Sequence, residues 1–82
     1  LAIIVTSRGK ETAAEIRKRA RRGVTSMKAV GEYTGTQRDV LLCACSKAES
    51  YLVKSAVQET DAEAFVMFTE TSEVFGEGFK ND

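Results

Sequence analysis

Apolar and polar positions along this chain alternate between two periods. Ala2–Thr6 (AIIVT) is a short run rich in β-branched residues, bounded by Ser7-Arg8-Gly9, and reads as a first strand. From Lys10 to about Arg21 the pattern becomes helical: Ala13, Ile16, Arg17 and Ala20 recur at helical spacing, Ser7 stands upstream as a cap, and Gly23 ends the segment. Val24 to about Tyr33 returns to strand character, with Gly31 in its interior suggesting a bulge or a close backbone approach. Thr34-Gly35-Thr36-Gln37 supplies a turn into Arg38–Ser46 (RDVLLCACS), and so short a link between two strands makes an antiparallel hairpin. Lys47–Thr60 is a second helix, with Ala48, Leu52, Ala56 and one of Val53 or Val57 facing inward. Asp61-Ala62-Glu63 then turns the chain into a fourth strand, Ala64–Thr69 (AFVMFT).

The order β-α-β-β-α-β predicts an α+β, ferredoxin-like two-layer sandwich: a four-stranded antiparallel sheet with two helices on one face. Right-handed crossovers place the first and third strands in its centre. Two helices cover one face only, so the second should read polar if it meets water. It does not. Ile3 and Val5 oppose Ala2 and Ile4; Val40, Leu42 and Ala44 oppose Leu41, Cys43 and Cys45; Phe65 and Met67 oppose Ala64, Val66 and Phe68. Monomers rarely leave an apolar patch of several hundred Å² bare. The pattern therefore predicts a cover: the C-terminal tail, another subunit, or the rest of a longer protein.

Composition adds bounds. Eighty-two residues make a single domain, and 43% apolar with 29% charged residues is an ordinary globular balance. No apolar run approaches the 18 residues of a membrane span, and no signal peptide is recognisable at Leu1, so the sequence reads as a domain of a longer protein. Net charge is zero but uneven: residues 1–41 hold nine basic and four acidic side chains (+5), residues 42–82 three and eight (−5). Arg17, Lys18, Arg19, Arg21 and Arg22 lie where cations complement a helix C-terminus, though such asymmetry can also mark an interaction face.

The chemical inventory is short. There is no His, which removes the commonest general base and any Ser-His or Cys-His nucleophile pair. Glu73 and Glu77 read as solvated surface carboxylates. Cys43 and Cys45 alternate on one strand face, where extended backbone resists a disulfide, and a lone C-x-C without His cannot complete a zinc site; free thiols fit a reducing setting. The first and third strands carry no aromatic residue on which RNA bases could stack, and the loop after the first strand has no C-x-x-C for a soft metal. The expectation is no catalytic residue, no metal, no cofactor and no nucleic acid. Two glycine stretches remain, RRGVTSMKAVGEYTG and SEVFGEGF, and neither has Walker spacing. Gly23 reads as a helix C-cap, Gly35 as a turn, and Gly76 and Gly78 as a chain reversal that folds Phe75 and Phe79 back onto an apolar surface.

Taken in order, RGVT, GEYTG and DAEAFVMFTETSEVFGEGF resemble the C-terminal domain of YitT-type bacterial membrane proteins, over nearly the whole chain. The resemblance implies a ferredoxin-like domain, similar in topology to the PII signal-transduction proteins, on the cytoplasmic face of the cell membrane and attached to an N-terminal membrane region. It implies a homo-oligomer, dimer or trimer, formed through the open sheet face, with a small anionic ligand such as a nucleotide bound between subunits. The Thr34–Gln37 link is too short for a long regulatory loop of the PII kind. The resemblance brings no catalytic residue with it. Arg22, Gly23, Val24, Thr25, Tyr33, Thr34, Gly35, Glu73, Gly76, Gly78 and Phe79 match its motifs and are the candidate ligand or interface residues. The functional expectation is a regulatory or sensor domain, with a purely structural oligomerisation domain as the alternative.

Overall fold

The computed structural model describes residues 1–32 and 34–70. Its elements are β1 (Ala2–Thr6), α1 (Gly9–Ala20), β2 (Thr25–Val30), β3 (Gln37–Cys43), a 3₁₀ turn (Lys47–Glu49), α2 (Ser50–Thr60) and β4 (Phe65–Phe68). The sheet order is β2-β3-β1-β4, every neighbouring pair antiparallel, so the ferredoxin-like topology and the central places of β1 and β3 are as the sequence predicts.

Alternation along β1 decides where the core lies. Ala2, Ile4 and Thr6 are buried, and their cross-strand partners Cys43 and Leu41 are buried with them. Ile16 and Ala20 of α1 and Val53, Ala56 and Val57 of α2 close over this face. The inward stripe of α2 includes both Val53 and Val57, while Ala48 is exposed. The reason is local: Ser46 caps a 3₁₀ turn, its hydroxyl accepting from Glu49 N–H while Glu49 accepts from Ser46 N–H, and α2 begins only after that turn. β3 stops at Cys43 rather than Ser46, where its partners β1 and β2 begin at Ala2 and Thr25.

The helix ends also differ from local expectation. Ser7 is not the cap of α1. The Gly9 N–H donates to the Asp39 carboxylate at 3.0 Å, from a strand thirty residues away, and Lys28 Nζ donates to the other oxygen at 2.7 Å. The first-turn amide and the helix dipole are thus met by a carboxylate from β3. At the other end Arg21, not Gly23, takes the left-handed conformation (φ 57°), its N–H donating to Arg17 O. Gly31 lies beyond β2 rather than in a bulge within it, donating to Thr36 O at 2.9 Å and accepting from Gly35 N–H. Gly35, at φ 70°, makes the turn expected of it.

Gly9 decides its own identity. A Cβ there would lie 2.7 Å from both Cβ and Cγ of Asp39. Ala usually stabilises a helix relative to Gly by about 0.5–1 kcal/mol. Here Gly9→Ala is expected to reverse that sign and destabilise by roughly 1–3 kcal/mol, as overpacking does. Urea unfolding of the two proteins measures it.

Candidate functional site

The register builds the open face from two rows that cross the sheet. Thr25, Leu42, Ile3 and Met67 form one; Met27, Val40, Val5 and Phe65 form the other. On β1 and β3 these residues alternate with the buried ones, and the register puts their partners on β2 and β4 on the same face, so all point away from the helices. Ile3, Val5, Val40 and Leu42 are half-buried by their neighbours, whereas Met27, Phe65 and Met67 keep 47%, 55% and 42% of their surfaces exposed. Arg38, opposite Ala29, is the charged side chain at the margin of these rows. The two-faced apolar sheet inferred from sequence is therefore present. The tail residues Glu73, Gly76, Gly78 and Phe79, with Phe75, lie outside the described residues, as does Tyr33.

The edge strand β2 has a second kind of exposure. Contacts between helices and sheet run from α1 to β3 and from α2 to β1 and β4. Thr25, Ser26, Met27, Lys28 and Val30 are exposed, and only Ala29 is half-buried. Among the described residues little covers this strand on either face, and none pairs with its outer edge.

Polar groups gather at the two ends of the sheet. At the end where Ala2, Cys43 and Thr25 lie, Arg22 Nε donates to Glu49 at 3.1 and 3.2 Å, tying the exit of α1 to the entry of α2. Ser46 N–H and then the Arg22 guanidinium hold the Glu49 carboxyl below its usual range. At the opposite end, Thr6 Oγ1 donates to Asp61 Oδ2 at 2.7 Å, and Ser7 N–H adds a longer bond. The Thr6 hydroxyl is the chief cause of a lowered Asp61 pKa; the Lys28 ammonium plays that part for Asp39. Arg19 meets Glu59 across the two helices at 2.6 Å and Glu15 on its own helix at 2.8 Å. Cys43 is buried and Cys45 half-buried, neither in a disulfide, and burial raises the Cys45 pKa, which disfavours a reactive thiolate. Among the described residues no group of His, Cys, Asp or Glu is arranged to hold a metal ion.

The described candidate residues fall into two places. Arg22, Gly23, Val24 and Thr25 lead into β2; Thr34 and Gly35 sit in the hairpin at its far end. Six residues of strand separate them by roughly 20 Å. One chain does not bring them together. A Cβ on Gly23 would meet nothing within 4 Å among the described residues. Motif reading missed Gly9, Asp39, Glu49 and Asp61. Two signals were available: Ser46-x-x-Glu49 is a capping-box pattern, and Asp39 is a charge on the face that carries Leu41 and Cys43.

Residues 22–76 match the family described as "Uncharacterized protein conserved in bacteria (DUF2179)". The chain belongs to this DUF2179 family. It is 38% identical over 80 residues to the UPF0750 membrane protein YvjA of Bacillus subtilis, covering 98% of this chain and 28% of that protein. The UPF0750 membrane protein YitT of the same organism is 31% identical over 75 residues, which are 92% of this chain and 27% of YitT. The chain thus spans about a quarter of these relatives' length, and the resemblance to YitT-type proteins is borne out. The crystal structure of a DUF2179 protein from Eubacterium ventriosum superposes with a TM-score of 0.65 at 30% identity, covering 80% of this chain and 90% of that one. No described helix is long and apolar enough to cross a membrane.

The carboxylates give a pH prediction. Asp39, Glu49 and Asp61 all have folded pKa values depressed below the unfolded ones. Their contribution is complete above the unfolded pKa and is lost as pH falls through the folded pKa. Thermal stability is expected to hold from neutrality to about pH 5 and to fall below about pH 4. Asp61→Asn should be less stable at pH 7 and show a shallower acid limb, both read by calorimetry across that range.

Proposed function

We propose that this DUF2179 domain is a non-catalytic assembly and regulatory module, carried on the cytoplasmic side of a bacterial membrane protein, that holds copies of its parent together. The observation that carries the reading is the open sheet face: two apolar rows across four strands, with the helices on the other side. A second copy suits it because the face is apolar and almost uncharged, so two such faces match each other without a charge left buried. Attachment to a membrane region agrees with the small share of the UPF0750 relatives that the chain spans.

A regulatory ligand is the second part of the proposal, and it draws on Arg21, Arg22 and the glycine stretches at a subunit boundary. Glu49 already balances the Arg22 charge, so the geometry supports assembly more strongly than anion capture. Thermal shifts with a panel of nucleotides test the ligand part; no shift with any of them removes its support.

For assembly, the 82-residue chain is expected to sediment as an oligomer at micromolar concentration without added ligand. Phe65→Glu and Met67→Glu, both on the exposed part of the face, should weaken association roughly tenfold or more, since burying one unpaired carboxylate exceeds the 1.4 kcal/mol that a factor of ten represents. Both variants should keep the far-UV circular dichroism of the parent. A chain that sediments as a monomer at all concentrations would sink the assembly reading.

A further inference from the structure

We infer that two copies of this chain join edge to edge through β2, antiparallel about a two-fold axis at Met27, to make one continuous eight-stranded sheet. The inference rests on the assembly reading and names the contact that builds it.

An edge contact enlarges the open face. Four strands at about 4.8 Å and five residues at about 3.3 Å give a face of roughly 300 Å² in projection, and an eight-stranded sheet presents twice that as one surface.

Hydrogen bonding shows that the β2 edge is ready to pair. Gly31 N–H donates to Thr36 O, and residues 31 and 36 continue the register that pairs Val30 with Gln37. Antiparallel ladders alternate, so Thr25, Met27 and Ala29 direct their backbone groups toward β3. Ser26, Lys28 and Val30 direct theirs outward. The edge has six residues and no proline, whereas the opposite edge, β4, has four. Unpaired donors and acceptors of this kind are a template for another strand.

Side chains choose the register. Outward-directed residues must pair with outward-directed residues, so a two-fold axis passes through Ser26, Met27 or Lys28. Through Lys28, it sets that ammonium against its own copy, a like-charge pair that destabilises. Through Ser26, it sets Val24 against Lys28. Through Met27, it pairs Ser26 with Lys28, Thr25 with Ala29 and Val24 with Val30. This last register alone sets valine against valine and puts Met27 against Met27 on the open face. It also brings together what the length of β2 separates: the Arg22–Thr25 stretch of one copy lies beside the hairpin of the other.

The test combines edge and face variants of the 82-residue chain. Ser26→Pro removes an outward N–H that β3 does not use, and prolines are tolerated on such edges. It is expected to reduce the sedimenting mass while circular dichroism stays unchanged. Met27→Cys is expected to give a covalent dimer under air oxidation, since facing residues in the non-hydrogen-bonded pair stand close. Lys28→Cys and the unmodified chain, with only Cys43 and Cys45, are expected not to. Cross-linking of Lys28→Cys in place of Met27→Cys would overturn the register. Unchanged mass for Ser26→Pro together with no cross-linking of Met27→Cys would overturn the edge contact. Failure here with monomer formation by Phe65→Glu or Met67→Glu leaves the face reading standing, so the two ideas fail separately.

Discussion

Two helices cannot cover a four-stranded sheet on both sides, and this constraint organises the molecule. The helices spend their apolar stripes on one face and pack over β1, β3 and β4. What they leave bare is an entire second face and both sides of β2. Burial of Ile4, Ile16, Leu41, Val53 and Val57 supplies one compact core. Burying the remaining apolar residues requires a surface that the described residues do not provide.

Polar side chains then fix the ends of the elements around that core. Thr12 and Thr60 hydroxyls meet at 2.8 Å between the helices, and Thr60 also bonds the Ala56 carbonyl, so two buried or half-buried hydroxyls are satisfied where apolar residues would otherwise stand. No buried side-chain polar atom among the described residues lacks a partner. The ends of the sheet are closed by carboxylates with assigned donors, which is why the chain can hold several charges near its core without leaving one desolvated and alone.

Periodicity made the fold legible. Strands read from their β-branched runs, helices from their spacing, and the second apolar face followed from counting the faces that two helices can cover. What escaped was either local but subtle or not local at all. Spacing alone puts Ala48 inward, but the 3₁₀ turn shifts the phase of the helical pattern and exposes it, and a capping box is the warning. The left-handed residue fell on Arg21 instead of the nearby glycine, a choice made by where α1 stops packing. Asp39 serves a helix that precedes it by thirty residues, and no window along the chain reports that. For the candidate residues, motif order could not say that β2 holds two stretches of them apart.

The contact of Asp39 with Gly9 bears on the order in which this molecule comes together. A cap of the usual kind lies within a residue or two of its helix and can form as soon as the helix does. Here the first turn of α1 receives its acceptor from β3, across a loop whose closure costs entropy before any contact compensates it. Helix α1 can nucleate early, but its first turn becomes complete only after β3 has docked beside β1. The beginning of the helix is therefore completed only once the middle of the sequence has docked.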